Sequence, residues 1–293
     1  MTEGCCAAFY ETAGYPVVRT ASTNWYAASS RIYHSLPDSR CIDPSEDEIN
    51  GLLVSRRLIG VQFASHDRGE ASHLYCARGD YDERSLRRTF QQSVRKARVH
   101  CTVTEIGFDD LWRLGKRVND DVRARRLWVD PHLIDPLLWR RYCDAGKQTP
   151  GIVVFGCFVA GELASWIIGG IEEQTCYGLH MMSRADLRSL RPNNLLYYEF
   201  TRAALNRDDV ECVNTGLEVA PPVGKLDRFK RYAGYRKEPC HFAAALHPLL
   251  GAVFLKRTGR SLLRLGRRLL AAESRLGRLR ALAERARASQ RTR

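Results

Sequence analysis

Apolar residues recur along this chain with two periods, and the alternation between them predicts a mixed sheet flanked by helices. Leu86, Phe90 and Val94 fall four apart within Asp82–Arg98, with charge between them, which predicts a helix with one buried face. His73–Ala77 and His100–Ile106 read as strands. Two helices are expected next, over about 108–125 and 131–145. The most apolar stretch, Gly151 to Ile171, is interrupted by Glu162 within Val159-Ala160-Gly161-Glu162. It therefore predicts strands Ile152–Val159 and Leu163–Ile171 around a tight turn rather than a membrane span. Thr175–Met182 follows as a central strand, Pro192–Asn206 as a helix, and Glu211–Thr215 and Arg236–Leu246 as further strands. Upstream, residues 1–22 read as a loose lead-in, Asn24–Tyr33 as a short helix, and Gly51–Val54 and Leu58–Phe63 as strands around Ser55-Arg56-Arg57. This order gives a mixed α/β (α+β) sheet, not a bundle or a sandwich, and no fixed-period repeat is evident.

The last segment has a different pattern. Leu262, Leu265, Leu269, Ala272, Leu276, Leu279, Ala283 and Ala286 alternate spacings of three and four, with Arg260, Arg264, Arg267, Arg275 and Arg278 on the other side. A basic amphipathic helix is expected over 251–293. Charge reinforces the division. The chain carries a net +13, and 13 basic against two acidic residues fall within 256–293, so this tail holds +11 and the remainder only +2. Three uses stay open for it: packing on its own domain, self-association, or lying on an anionic membrane with its leucines dipped in. Nucleic acid is the least favoured partner, because only seven of the 46 basic residues are lysine and a general preference for arginine explains the excess.

Ten cysteines are scattered without a C-x-x-C pair, and no H-x-x-x-H occurs. Free thiols in a reducing cytoplasm are expected, with no metal site. The N-terminus has no basic start and no apolar run, so no signal peptide is expected and the chain reads as cytoplasmic, with a peripheral position on the inner face of the membrane left open by the tail.

Candidate chemistry gathers at two junctions. In Arg188-Ser189-Leu190-Arg191-Pro192-Asn193-Asn194 an extended segment gives way to a helix whose first position is proline. Free amides at such an end, with Arg188 and Arg191 beside them, suit a phosphate or pyrophosphate. A plain helix start with two surface arginines remains the alternative. In and beside Leu226-Asp227-Arg228-Phe229-Lys230-Arg231-Tyr232-Ala233-Gly234-Tyr235, three of the seven lysines (Lys225, Lys230 and Lys237) lie close together in sequence. A compact ammonium there could stabilise an oxyanion or hold a phosphate; a solvated basic turn is the other reading. Glu218, at a strand end after Asn214-Thr215-Gly216-Leu217, and Tyr198 are weaker candidates for a general base. His180, on a strand with Tyr177, reads as a core histidine.

Several segments, in order, resemble the FemABX-type transferases of the GNAT-like superfamily. These are the basic helix-to-strand segment Arg95-Lys96-Ala97-Arg98-Val99-His100-Cys101-Thr102-Val103, the helix start Arg191-Pro192-Asn193-Asn194-Leu195-Leu196-Tyr197-Tyr198-Glu199, the strand end Asn214-Thr215-Gly216, and Leu226-x-x-Phe229-Lys230-x-x-x-Gly234. The resemblance covers roughly residues 85–245. It implies a GNAT-like fold with an eroded first copy over 23–104, a functional second copy over 105–250, and a loose N-terminal segment over 1–22. It also implies acyl or aminoacyl transfer from a thioester or ester donor to an amine or hydroxyl. The acceptor would be a small-molecule or lipid-linked compound, such as a cell-envelope or polysaccharide precursor. The Arg-x-x-Gly-x-Gly/Ala loop of ordinary acetyltransferases is replaced by Arg191-Pro192-Asn193-Asn194, which leaves the donor open between acyl-CoA and aminoacyl-tRNA. Lys230 is then expected to act on the oxyanion or acceptor phosphate, and the amides around Asn193 and Asn194 to hold the donor. A non-catalytic GNAT-like binding protein, docked by its tail, is the alternative.

Overall fold

The computed structural model of the chain describes residues 4–126, 129–218 and 224–250. The expected basic helix at 251–293 lies outside the described residues. In chain order the elements are α1 (Cys5–Ala13), β1 (Val17–Arg19), β2 (Asn24–Ser29), β3 (Ile32–Leu36), α2 (Glu46–Ser55), β4 (Gly60–Ser65), β5 (Glu70–Arg78), α3 (Arg88–Arg98), β6 (Cys101–Glu105), α4 (Phe108–Arg125), α5 (Pro131–Ile134), α6 (Pro136–Gln148), β7 (Ile152–Val159), β8 (Glu162–Glu172), β9 (Thr175–Ser183), α7 (Pro192–Leu205), β10 (Cys212–Leu217), α8 (Gly224–Tyr232) and β11 (Arg236–Leu246). The mixed α/β class expected from the pattern is what the chain adopts.

Space divides the chain into two compact units. One comprises Met1–Gly14 and Leu74–Glu238, the other Tyr15–His73 and Pro239–Arg293. In the first, strand order runs β5-β10-β9-β8-β7-β6. Neighbours are antiparallel except β10 and β9, which run parallel. The β7–β8 hairpin turns through Ala160 and Gly161, both left-handed (φ 48° and 81°), the backbone that two-residue hairpins require. Helices α3 and α7 cover one face, bringing Phe90, Val94, Leu196 and Phe200 onto Cys157, Ile167, Cys176 and Val213. Burying each of the larger side chains contributes about 1.5–3 kcal/mol. Elsewhere in this unit α1 and α6 pack together through Phe9 and Tyr142 (centroids 4.8 Å apart), and Trp139 lies 5.8 Å from Trp166 of β8. In the second unit, β1-β2-β3-β4-β11 is antiparallel except where β3 meets β4. Its core is Trp25, Leu52, Leu53, Val61 and Phe63.

Three local expectations are corrected. The lead-in expected over 1–22 is not loose in its described part, since it holds α1, with Cys6, Phe9 and Tyr10 buried, and β1. Asn24–Tyr33 is not a helix but β2 turning into β3, because Trp25, Tyr26 and Ala27 pair across to Ser35, His34 and Tyr33. Gly51–Val54 is the end of helix α2 rather than a strand. Ser45 caps that helix through the Glu48 N–H at 3.1 Å, and Leu52 and Leu53 point into the core.

Candidate active site

The site begins with strand geometry. β9 and β10 pair in parallel only at Thr175/Cys212, Cys176/Val213 and Tyr177/Asn214. β9 continues against β8 as far as Ser183, whereas β10 shifts register against β5 between Asn214 and Leu217. The two strands therefore part beyond Tyr177 and Asn214, and their backbone groups facing the gap are not joined by ladder bonds. The end of β10 is fixed locally. Asn214 Oδ1 accepts the Gly216 N–H at 2.9 Å, and Gly216 takes φ +93°, which a β-carbon would disfavour.

Lys230 closes this end of the gap. It projects from α8, is only 6% exposed, and its Nζ donates to the Thr215 carbonyl at 2.7 Å. The same ammonium lies 4.8 Å from the centre of the Tyr75 ring, and Lys237 lies 5.8 Å from that ring. Glu218 forms an ion pair with Lys237. Lys230 is thus a buried cation at a strand end, which removes the reading of a solvated basic turn. Glu218 belongs to the same neighbourhood but is engaged by Lys237.

The start of α7 forms a second group. Arg191 adopts a left-handed backbone (φ 62°) just before Pro192, after a single 3₁₀ turn at Arg188–Leu190 rather than an extended segment. Arg188 and Arg191 are exposed. Pro192 has no N–H, and Asn194 and Leu195 return theirs to the Arg191 carbonyl at 3.0 and 3.4 Å. Asn193 is therefore the residue of this turn whose amide is not committed there. Its side chain donates to Ser183 Oγ at 3.0 Å, tying the helix start to the end of β9, and its buried Oδ1 has no partner.

Tyr198 stands apart from both groups. It packs on Tyr81 (centroids 5.7 Å apart) beneath the Arg98 guanidinium at 5.4 Å, and burial, then the Glu199 charge, raises its pKa. Its neighbour Tyr197 is the residue that faces α8, 5.1 Å from the Phe229 ring. Sequence reasoning missed Tyr197, Tyr75 and Asp227. Only Asp227 carried a signal, its place three residues before Lys230 on one helix face. An open cleft of about 490 Å³ lined by Gly79–Asp82, Leu205, Asn206, Val210 and Glu211 holds none of the expected site residues. One cluster has metal-ligand chemistry among the described residues: the donor atoms of Cys5, Cys6 and Glu172 lie within 4.8 Å of one another. Glu172 there already accepts the Cys6 N–H, which accounts for its position as a cap on α1.

The parted parallel strand pair, the helix start tied to β9 through Asn193, and the buried Lys230 at the end of β10 make up the candidate site. The family model for the acetyltransferase (GNAT) domain matches residues 82–231, a little over half of the chain, and the chain belongs to that family. Among solved structures it is similar to FemX, with a TM-score of 0.55 and 11% identity over 86% of this chain and 93% of that one. It is also similar to the C-terminal domain of a protein assigned as a lysylphosphatidylglycerol synthetase from Agrobacterium fabrum (TM-score 0.54, 13% identity, 87% and 93% covered). L-PGS from Bacillus licheniformis gives a TM-score of 0.54 at 8% identity over 84% and 88%. At these identities the likeness is one of fold. No curated protein matches the sequence. Among the described residues, no helix is long and apolar enough to cross a membrane.

Proposed function

We propose that the chain transfers an acyl or aminoacyl group from an activated ester or thioester, acyl-CoA or aminoacyl-tRNA, to an amine or hydroxyl. The observation that carries this is the buried Lys230 ammonium held at the open end of the β9/β10 gap. A donor carbonyl laid in that gap meets backbone N–H groups of the parted strands on one side and Lys230 on the other. When the acceptor adds to the carbonyl carbon, negative charge forms on its oxygen, and a fixed ammonium stabilises that charge without having to reorient. The oxygen or sulfur of the donor then leaves with its electron pair and takes up the proton that the acceptor gives up. Arg188, Arg191 and the Asn193 amide hold the anionic portion of the donor. Placing both reactants together contributes roughly 7–11 kcal/mol in good cases, so a dedicated base is not required, and Glu218 is engaged by Lys237. The name lysylphosphatidylglycerol synthetase among the structural neighbours supports a lipid-linked acceptor, as does the basic tail at 256–293. We retain 23–104 and 105–250 as two GNAT-like copies of common descent.

The test is turnover of a donor panel, acyl-CoA thioesters and aminoacylated tRNA, read as release of free thiol or of uncharged tRNA. Lys230→Met is expected to lower kcat and kcat/KM together by about 100-fold, on the order of 2.7 kcal/mol. Arg191→Glu is expected to raise the donor Kd with little change in Tm. A Lys230→Met enzyme that differs only in KM would reassign the lysine to binding. No turnover of any donor by the wild type would overturn the reading.

A further inference from the structure

Lys230 rests on an aromatic ring whose place in the sheet is set by a bulge. β5 pairs Cys76 with Asn214 and Leu74 with Leu217 of β10. Tyr75 therefore stands opposite both Thr215 and Gly216, and two residues against one is the count of a β-bulge. The Lys230 ammonium lies at that bulge. Its Nζ is 2.7 Å from the Thr215 carbonyl oxygen, 4.8 Å from the centre of the Tyr75 ring, and 3.9 Å from where a β-carbon on Gly216 would stand. Tyr75 is fully buried, as is Asp227, which sits on α8 three residues before Lys230. Burial, then the Asp227 charge and the hydrogen bond that the phenol gives to that carboxylate, push the Tyr75 pKa up. The hydroxyl is therefore held protonated, as a donor. Among the described residues, the other charged or titratable groups facing this ring are Glu218 after β10, Arg231 of α8, Lys237 of β11 and Tyr197 of α7. Lys237 lies 5.8 Å from the same ring and is paired with Glu218, which offsets the charge of this second cation.

We propose that Tyr75 is a positioning residue for the transfer: its ring face holds the Lys230 ammonium at the Thr215 carbonyl, and its hydroxyl, bonded to Asp227, holds the ring. This rests on the transferase reading and adds to it the residues through which Lys230 is kept in place. A lysine is a compact charge on a flexible four-carbon stem. An ammonium that stabilises forming negative charge is effective when it is already in place and does not have to reorient. A hydrogen bond to one carbonyl fixes its distance from β10 but leaves the stem free to swing about that contact. A ring face on a second side removes this freedom. The face carries negative potential, so it attracts the cation without neutralising it. A carboxylate in the ring's place would hold the lysine too, but it would cancel the charge that the oxyanion needs. Asp227 acts one step back, through the phenol. A ring tied at its hydroxyl end to a buried carboxylate cannot tip away from the ammonium without leaving that carboxylate unpaired, which is costly in a dry interior.

The chain holds only seven lysines, so Lys230 can be followed by NMR in the full-length protein labelled with carbon-13 at the lysine ε-carbons. Its signal is the one lost in Lys230→Met. Two proteins are compared. Tyr75→Phe keeps the ring face and removes the hydroxyl. Pentafluorophenylalanine placed at the same position keeps the ring but withdraws negative charge from its face. Because that face favours the charged lysine, weakening it lowers the pH at which Lys230 loses its proton. The fluorinated protein is expected to titrate at Lys230 about one pH unit below Tyr75→Phe. Its kcat is expected to fall about tenfold at unchanged donor KM, and the alkaline limb of its kcat profile to move down with the lysine. Tyr75→Phe itself is expected to lose about threefold in kcat relative to the wild type, through release of the ring from Asp227. A fluorinated protein that matches Tyr75→Phe in titration and kcat overturns the proposal, and a fall in Tm with both readouts unchanged likewise assigns the ring to packing. A Tyr75→Phe protein that matches the wild type overturns the part given to Asp227. If the pentafluorinated protein does not fold by circular dichroism, 4-fluorophenylalanine replaces it, with the same signs and smaller effects expected. If turnover depends on Lys230 while fluorination changes nothing, this inference alone fails. If the Lys230 titration follows the ring but no donor turns over, the transferase reading fails and the hold of the ring on the ammonium stands.

Discussion

His180 couples packing to a proton. It lies on β9, stacked on Tyr142 (centroids 5.7 Å apart, planes 25°), with Nε2 3.2 Å from the Tyr10 hydroxyl. Its Nδ1 is sealed from solvent without a partner. Burial depresses the imidazole pKa below its ordinary 6.5, against the raising influence of the Asp130 charge and with a smaller lowering from His132. Because the folded state resists protonating His180, its contribution to stability is whole above pH 6.5 and is lost as pH falls from there through the depressed folded value. His180→Phe keeps the ring stack and removes the titration. Its Tm is expected to fall less than that of the wild type between pH 8 and pH 5. Parallel Tm–pH curves would show that His180 takes up its proton equally in the folded and unfolded states, against a depressed folded value. The sequence showed His180 only as a strand histidine near Tyr177. Its actual neighbours, Tyr10 and Tyr142, are supplied by α1 and α6, far away in the chain. The same limit hid the surroundings of Lys230. Lys230 was legible from its residue type and the Phe229-Lys230 pair, and Asp227 from helical spacing, but nothing local joins either of them to Tyr75.

At the scale of elements, legibility followed length and punctuation. The β7–β8 hairpin was readable because Ala160-Gly161 marks its turn, and α7 because Pro192 marks its start. The expected helix at 131–145 is two, α5 and α6, since Asp135 caps the Leu137 and Leu138 amides and Pro136 begins a new helix. The error at α2 was avoidable: Ser45-Glu46-Asp47-Glu48 has the spacing of a capping box, ahead of Leu52 and Leu53. The error at β2 was not, because Trp25-Tyr26-Ala27 is too short a run to show a period and only pairing with β3 decides it. Close helix packing gives a further prediction. A β-carbon on Gly146 of α6 would lie 2.2 Å from the Phe108 ring of α4. Gly146→Ala gains about 1 kcal/mol of helix propensity, whereas overpacking costs about 1–3 kcal/mol. The urea midpoint is therefore expected to fall at unchanged slope. A raised midpoint would mean that the Phe108 ring can withdraw.

At the scale of the molecule, charge and connectivity separate. Most of the net positive charge, +11 of +13, is carried by residues 256–293 of the sequence. Removing 256–293 is expected to abolish flotation with liposomes rich in phosphatidylglycerol at low salt, and added salt should weaken flotation of the full chain. Equal flotation of the two proteins would deny the tail this role. A salt-insensitive dimer lost on truncation would assign it to self-association. Connectivity acts earlier in the life of the chain. The second unit is completed by β11, whose His241 pairs with Ser65 of β4. A ribosome adding about 5–20 residues per second emits β4 roughly 9–35 s before that partner exists. Throughout synthesis one side of β4, Gly-Val-Gln-Phe-Ala-Ser, therefore waits as an open strand edge, the kind of template on which nascent chains aggregate. The last of the described strands is the one that covers this edge, so a stalled or prematurely terminated chain would be left with it bare.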